Sequence, residues 1–131
     1  MINSYIPTYA LKLLDFLLHL IHLSIIGFFI FGWLIESTRI AHFILSLLIL
    51  ISWCGLGIFF GFGYCLVTDI QWKIKKRLNQ IPTTEFYIKY ILDKMSGLNI
   101  NPNIINGITT FAFFGIFIIS ISFILIDFFR N

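Results

Sequence analysis

The sequence predicts an all-α membrane protein, with three transmembrane helices and one or two amphipathic interfacial helices. Three observations predict it. Hydrophobic residues make up 59% of the 131 residues and charged residues 11%, against roughly 25% charged in an ordinary soluble domain. The apolar residues gather into three runs, each long enough for the ~20 residues that a bilayer requires. Six of the nine Lys and Arg residues (Lys73, Lys75, Lys76, Arg77, Lys89 and Lys94) fall in the one polar stretch between the second and third runs. They are not interleaved with base-reading side chains, so nucleic acid is excluded as a partner and the lipid bilayer is expected.

The first span covers about residues 13–35, with Pro7 ahead of it at a position that suits a helix start. It is too long for the apolar core of a signal peptide, and Gly32-Trp33-Leu34 is not a small-x-small cleavage site, so it is read as retained. Glu36 to Arg39 form a short turn, with Ser37 and Thr38 expected to cap the next helix. The second span covers about 40–68 and is read as one helix, because dividing it leaves two halves too short to cross. At that length it must tilt, kink at its glycines or project past the lipid.

Residues 69–103 form the interfacial segment. Its first part, IQWKIKKRL, is basic, and Trp72 is expected to anchor it at headgroup level, as Trp33 does on the opposite side. Pro82 breaks the helix and Thr84 is the expected N-cap of the next one. In EFYIKYILDKMSGL, Tyr87, Ile88, Ile91, Leu92 and Met95 share one side, while Glu85, Lys89 and Asp93 alternate in charge on the other. This helix is expected to lie on the membrane surface or to cover the bundle, with Gly97 closing it. Asn99 to Asn106 is turn-rich, and the third span covers about 108–126. The whole of 1–131 is read as a single membrane domain.

Within span two, Gly57, Gly61, Cys65 and Thr68 fall at i, i+4, i+8 and i+11. On a continuous helix they form one small, mildly polar face on which another helix can pack closely. Cys54 and Cys65 would then lie about 16 Å apart along the axis, beyond the ~7 Å limit for a disulfide.

Asp15, His19 and His22 stand at i, i+4 and i+7 in the inner half of span one. Ionisable groups in a span are costly and usually face the protein interior or water. Depth matching sets His19 near Gly61 and His22 near Gly57, with Tyr64, Cys65, Thr68 and Asp69 towards Asp15. Asn106, Thr109 and Thr110 join from span three. Asp15, His19, His22 and Cys65 are all metal-ligand types, so a zinc or iron site is one reading. A hydrogen-bonded network that locks the helices together is the other. Haem ligation within one chain is disfavoured, because His22 and His42 are about 20 Å apart in depth. A proton path is broken in the outer half, which offers only His42, Ser46, Ser52 and Ser120.

With three spans, the N-terminus and residues 69–103 share a side. That side carries Lys12 and the six residues named above, against Arg39 and Arg130 on the other. The bias predicts that the N-terminus and residues 69–103 are cytoplasmic, or on the matrix side of an organelle.

Gly63-Tyr64-Cys65-Leu66-Val67-Thr68-Asp69, followed by Trp72 and Lys73, resembles a family of small bacterial inner-membrane proteins classed as a domain of unknown function. Its hallmark is a Cys-x-x-Thr segment at the end of a Gly-rich span, often Cys-Pro-Leu-Thr, followed by a basic helix. The family also tends to carry a histidine about ten residues before a glycine in its first span, as His22 and Gly32 do here. Tyr90 to Asn103 is similar to its later interfacial segment, and the resemblance covers residues 13–126. Leu66 departs from the proline common there, which leaves the end of span two open. The resemblance implies architecture and an inner-membrane location, with no activity, and no cofactor is specified.

The function expected from these features is a non-catalytic accessory subunit or assembly factor of a larger membrane complex, bound to other membrane-protein subunits and not itself an enzyme. The alternatives are a metal- or haem-binding redox protein built on the His19/His22 stripe, and a small homo-oligomeric transporter or channel.

Overall fold

The computed structural model describes residues 6–130. Three helical stretches are long and apolar enough to cross a membrane: Thr8–Leu34, Glu36–Phe60 and Pro102–Arg130. No strand occurs among the described residues, and the protein is an all-α membrane protein.

Helix α1 (Thr8–Phe31) starts where Pro7 leaves an extended conformation, and the Pro7 carbonyl accepts from the Ala10 and Leu11 amides at 3.0 and 3.1 Å. Two 3-10 turns, Gly32–Leu34 and Glu36–Thr38, reverse the chain. Thr38 acts differently from the expected cap. Its hydroxyl donates backwards, to the carbonyls of Gly32 at 2.6 Å and Ile35 at 3.0 Å, and so closes the end of α1 rather than the start of α2 (Arg39–Leu50).

The turn is locked to the third span by Arg39. Its Nη1 donates to both oxygens of Asp127, at 3.1 and 3.2 Å. Its Nε donates to the Trp33 carbonyl at 3.2 Å, and its guanidinium lies 4.2 Å from the centre of the Phe123 ring. Deeper in, His42 and Ser46 are fully buried. His42 Nε2 donates to the Phe29 carbonyl at 2.7 Å, which leaves Nδ1 to accept from the Ser120 hydroxyl at 3.0 Å. One imidazole thus joins all three spans. Phe113, 2% exposed, fills the space below it against Phe29 and Trp53.

The second span is not the single helix over 40–68 that its apolar length predicts. After α2 comes a π-helical turn, Ile51–Leu56, and then a short α3 (Gly57–Phe60). The chain then doubles back. Gly61 (φ 104°) and Gly63 (φ 87°) adopt backbone conformations that L side chains rarely enter. The reversal is pinned by the Gly63 amide on the Trp53 carbonyl at 3.3 Å, and by the Ser52 hydroxyl on the Tyr64 carbonyl at 2.8 Å. Gly57, Gly61, Cys65 and Thr68 therefore do not form one helical face. Gly57 does permit a close approach, but by its own returning chain: an added Cβ would lie 3.2 Å from Phe62 Cα.

Cys65 is extended and precedes α4 (Leu66–Arg77). Leu66 takes the first helical position, which a proline would also fit. Cys54 and Cys65 sit on different elements and both are free thiols. Helix α4 packs on α1, with Thr68, Gln71, Ile74 and Lys75 buried.

Helix α5 (Tyr87–Ser96) begins two residues later than expected. Thr84 Oγ1 accepts from the Phe86 amide at 3.2 Å, and Gly97 closes the helix with φ 72°. On its expected solvent face Glu85 is exposed, but the Lys89–Asp93 part turns inward. Lys89 is buried and donates to Asp93 and to Asn99 Oδ1, while Asp93 accepts from the Ile100 amide at 2.9 Å. These bonds hold the Asp93 carboxyl below the usual carboxylate range. Met95, expected on the covered side, is 80% exposed. Helix α6 (Pro102–Arg130) is longer than the span read from hydropathy. Asn101 Oδ1 accepts from the Asn103 amide at 2.9 Å and caps it, with Pro102 at the first position.

The reversal gives a direct test. Gly61→Ala forces a side chain into a conformation that costs about 1–3 kcal/mol, whereas an added Cβ at Gly107, inside α6, meets nothing within 4 Å. Denaturant unfolding in mild detergent is expected to show Gly61→Ala destabilised by about 2 kcal/mol and Gly107→Ala unchanged or slightly more stable.

Candidate functional site

The polar stripe of α1 meets a second stripe on α4. Thr68, Gln71 and Lys75 fall at i, i+3 and i+7, and run antiparallel to Asp15, His19 and His22. Asp15 is the anchor. Lys75 Nζ lies 3.0 Å from its Oδ2, and Gln71 Nε2 donates to its Oδ1 at 3.1 Å. Lys75 is 2% exposed and Gln71 fully buried, so both carboxylate oxygens are satisfied inside the protein. A buried ammonium hydrogen-bonded to a half-buried carboxylate is tolerated in this setting, whereas either charge alone is costly.

His19 Nε2 lies 3.9 Å from Asp15 Oδ2, close enough for the carboxylate to favour the proton on that nitrogen. Nδ1 then accepts from the Tyr87 hydroxyl at 2.9 Å. Tyr87, from α5, is 4% exposed, and burial pushes its phenol up to about 12. It therefore remains a neutral donor at any ordinary pH. Its ring lies on His22, with centroids 3.7 Å apart and planes inclined by 11°. His22 is 6% exposed, and its Nε2 faces Thr68 Oγ1 at 3.4 Å and Cys65 Sγ at 3.7 Å. Its Nδ1 and Gln71 Oε1 are buried without a partner among the described residues, a condition that costs about 1–3 kcal/mol per group.

Asp15, His19, His22 and Cys65 are thus brought to one end of the bundle, but not to one point. Tyr87 packs against both imidazoles and separates them, and the Lys75 ammonium lies on Asp15. The predicted ligand set divides into an Asp15–His19 pair and a His22–Cys65 pair. No three His, Cys, Asp or Glu side chains converge as a metal would need among the described residues. Lys75, Gln71 and Tyr87, which complete the network, escape a reading that treats Lys75 as a headgroup charge and Tyr87 as covering apolar surface.

The two tryptophans read as interface anchors use their indole N–H groups internally. Trp33 donates to the Ile30 carbonyl and Trp72 to the Thr84 carbonyl, both at 2.7 Å. Trp72 also meets Tyr90 edge to face at 5.1 Å, and so fastens the loop between α4 and α5.

Beside this network a cleft of about 180 Å³ opens between the three spans, α4 and α5. His22, Thr68, Glu85, Asn106, Thr109 and Thr110 are among its polar lining, and Ile49, Trp53 and Phe62 contribute to its apolar wall.

Lys75→Met is expected to lower stability by about 3 kcal/mol, because it strands the Asp15 charge. Adding Asp15→Leu is expected to restore most of that loss. Unfolding of the single and double variants in detergent measures both effects.

No curated protein and no solved structure matches the chain. Residues 12–125 match the family described as Protein of Unknown function (DUF2784), and the chain belongs to that family.

Proposed function

We propose that the protein is a non-catalytic accessory subunit or assembly factor of a larger membrane complex. The bacterial inner membrane is its proposed location, with the N-terminus and residues 69–103 on the cytoplasmic side. The observation that most supports this reading is the apolar knuckle at the end of the second span. Ile58, Phe59, Phe60 and Phe62 are 82%, 79%, 65% and 56% exposed. The knuckle is held from behind by the Gly63–Trp53 and Ser52–Tyr64 hydrogen bonds. Hydrophobic burial does not drive helix association in lipid, whereas preformed shape and close packing do. A rigid apolar projection of this kind suits docking against another membrane subunit.

The fate of the polar side chains gives further support. Arg39, His42, Asp15 and His19 each bond to another element of the same chain, which makes the bundle a firm support. The Asp15–Lys75 pair sets the start of α1 beside the basic helix α4. Lys12 and the six basic residues of 69–103 then share an end, away from the Arg39–Asp127 pair, and the positive-inside rule favours that end as cytoplasmic.

The test is the native mass after gentle solubilisation from the protein's own membrane. The expected particle contains other polypeptides, and Phe59→Ser with Phe60→Ser reduces their recovery several-fold while helix content is unchanged. A particle of one to four copies of this chain alone contradicts the proposal.

A further inference from the structure

Three polar side chains of α6 have no use within the bundle. Asn106, Thr109 and Thr110 fall at i, i+3 and i+4 in the inner part of a membrane-spanning helix, and all three are half-buried. In the same spans the Ser46 and Ser122 hydroxyls donate one turn back, to the carbonyls of His42 and Ile118, both at 2.8 Å. The side chains of Asn106, Thr109 and Thr110 make no hydrogen bond among the described residues. All three face the cleft, which also exposes the edge of the nearly buried His22. Unsatisfied polar groups at membrane depth are costly, so they call for a ligand with its own polar atoms.

The cleft has a continuation. Asn106 and Thr110 also border a shallow groove on α6, formed with Gly107, Phe111, Phe114, Gly115 and Ile118. From Asn106 to Ile118 the groove follows the helix for about 18 Å. Its floor is deepened at Gly107 and Gly115, where an added Cβ would meet nothing within 4 Å. A polar-edged cleft and an apolar trough that share two residues match the two parts of one amphipathic molecule.

We propose that cleft and groove form a single site for a membrane lipid whose head carries carbonyl oxygens and whose chain is apolar. The Asn106 amide and the Thr109 and Thr110 hydroxyls donate to the carbonyls, and the chain lies over Gly107 and Gly115. The charge of the lining narrows the class. Glu85 lines the cleft and no Lys or Arg does, so an anionic head is disfavoured. The volume is below the roughly 300 Å³ at which drug-sized pockets begin, which suits one ring or one ester group. Two sources share this chemistry, an isoprenoid quinone and the ester end of a neutral or zwitterionic glycerolipid. The site does not depend on the subunit reading, because it is a property of the isolated chain.

The experiment is native mass spectrometry on delipidated, detergent-purified protein. One arm receives a decyl-substituted benzoquinone and the other a diacyl phosphatidylethanolamine. A one-to-one adduct is expected in one arm, and that arm identifies the source. Gly115→Leu, which fills the trough, and Thr110→Val, which removes a donor, are each expected to reduce the adduct at least tenfold. Circular dichroism and melting report that both variants remain folded. Absence of an adduct in both arms, or adducts that both variants retain at the wild-type level, overturns the proposal.

Discussion

The fold depends on one half-buried carboxylate held by two buried partners. Asp15 sits on a membrane-spanning helix, where an isolated charge is expensive. Its two oxygens are met by Lys75 and Gln71, both from α4. That requirement draws a basic helix off the membrane surface and lays it along α1. Once α4 is there, Thr68 and Cys65 must reach His22, and the second span must end early enough to release them. The glycine reversal at Gly61 and Gly63 meets that demand. Tyr87 then closes the open side of the network, between the two imidazoles.

Much of this was legible in the sequence, and the part that was not has an identifiable cause. Three spans, two further helices, the Gly97 cap and the inward polar cluster all follow from hydropathy and spacing. The second span misleads because glycine in an apolar run has two opposite uses. Gly57 and Gly61 at i, i+4 match a helix-packing face, yet Gly61 and Gly63 with one residue between them also match a reversal. Hydropathy cannot separate the two, because Ile58, Phe59, Phe60 and Phe62 are apolar in either case. With the helix drawn through, Thr68, Gln71 and Lys75 could not be seen as the mirror of Asp15, His19 and His22. Lys89 misleads in a similar way, since an i, i+4 pair with Asp93 reads as a solvated face until Asn99 is known to lie against it.

The two ends of the bundle use polar residues for the same purpose at different depths. At one end Arg39, Asp127 and Trp33 fix the turn to α6, and His42 with Ser120 repeats the tie about one to two turns deeper. At the other end the Asp15 network fixes α4 and α5. Between α4, α5 and α6 these ties leave a gap, and the cleft with its unmet donors occupies it. The knuckle and the cleft have a common origin, since both follow from the chain turning back after Phe60. Phe62 belongs to both, since it is exposed on the knuckle and also lines the cleft.

The most direct test of this account is the proximity of Cys65 to His22, which exists only if the second span breaks before Cys65. His22 Nε2 lies 3.7 Å from Cys65 Sγ, so His22→Cys in a Cys54→Ser background sets a thiol at the root of that ring, one imidazole's width further from Cys65 and within reach of a short cross-linker. Efficient intramolecular bridging to Cys65 by the shortest bifunctional methanethiosulfonate is expected, with none in the His22→Ala control. On an unbroken helix that sets Gly57 at the level of His22, Cys65 would lie about 12 Å further along the axis. Two separately labelled thiols and no bridge would contradict the account.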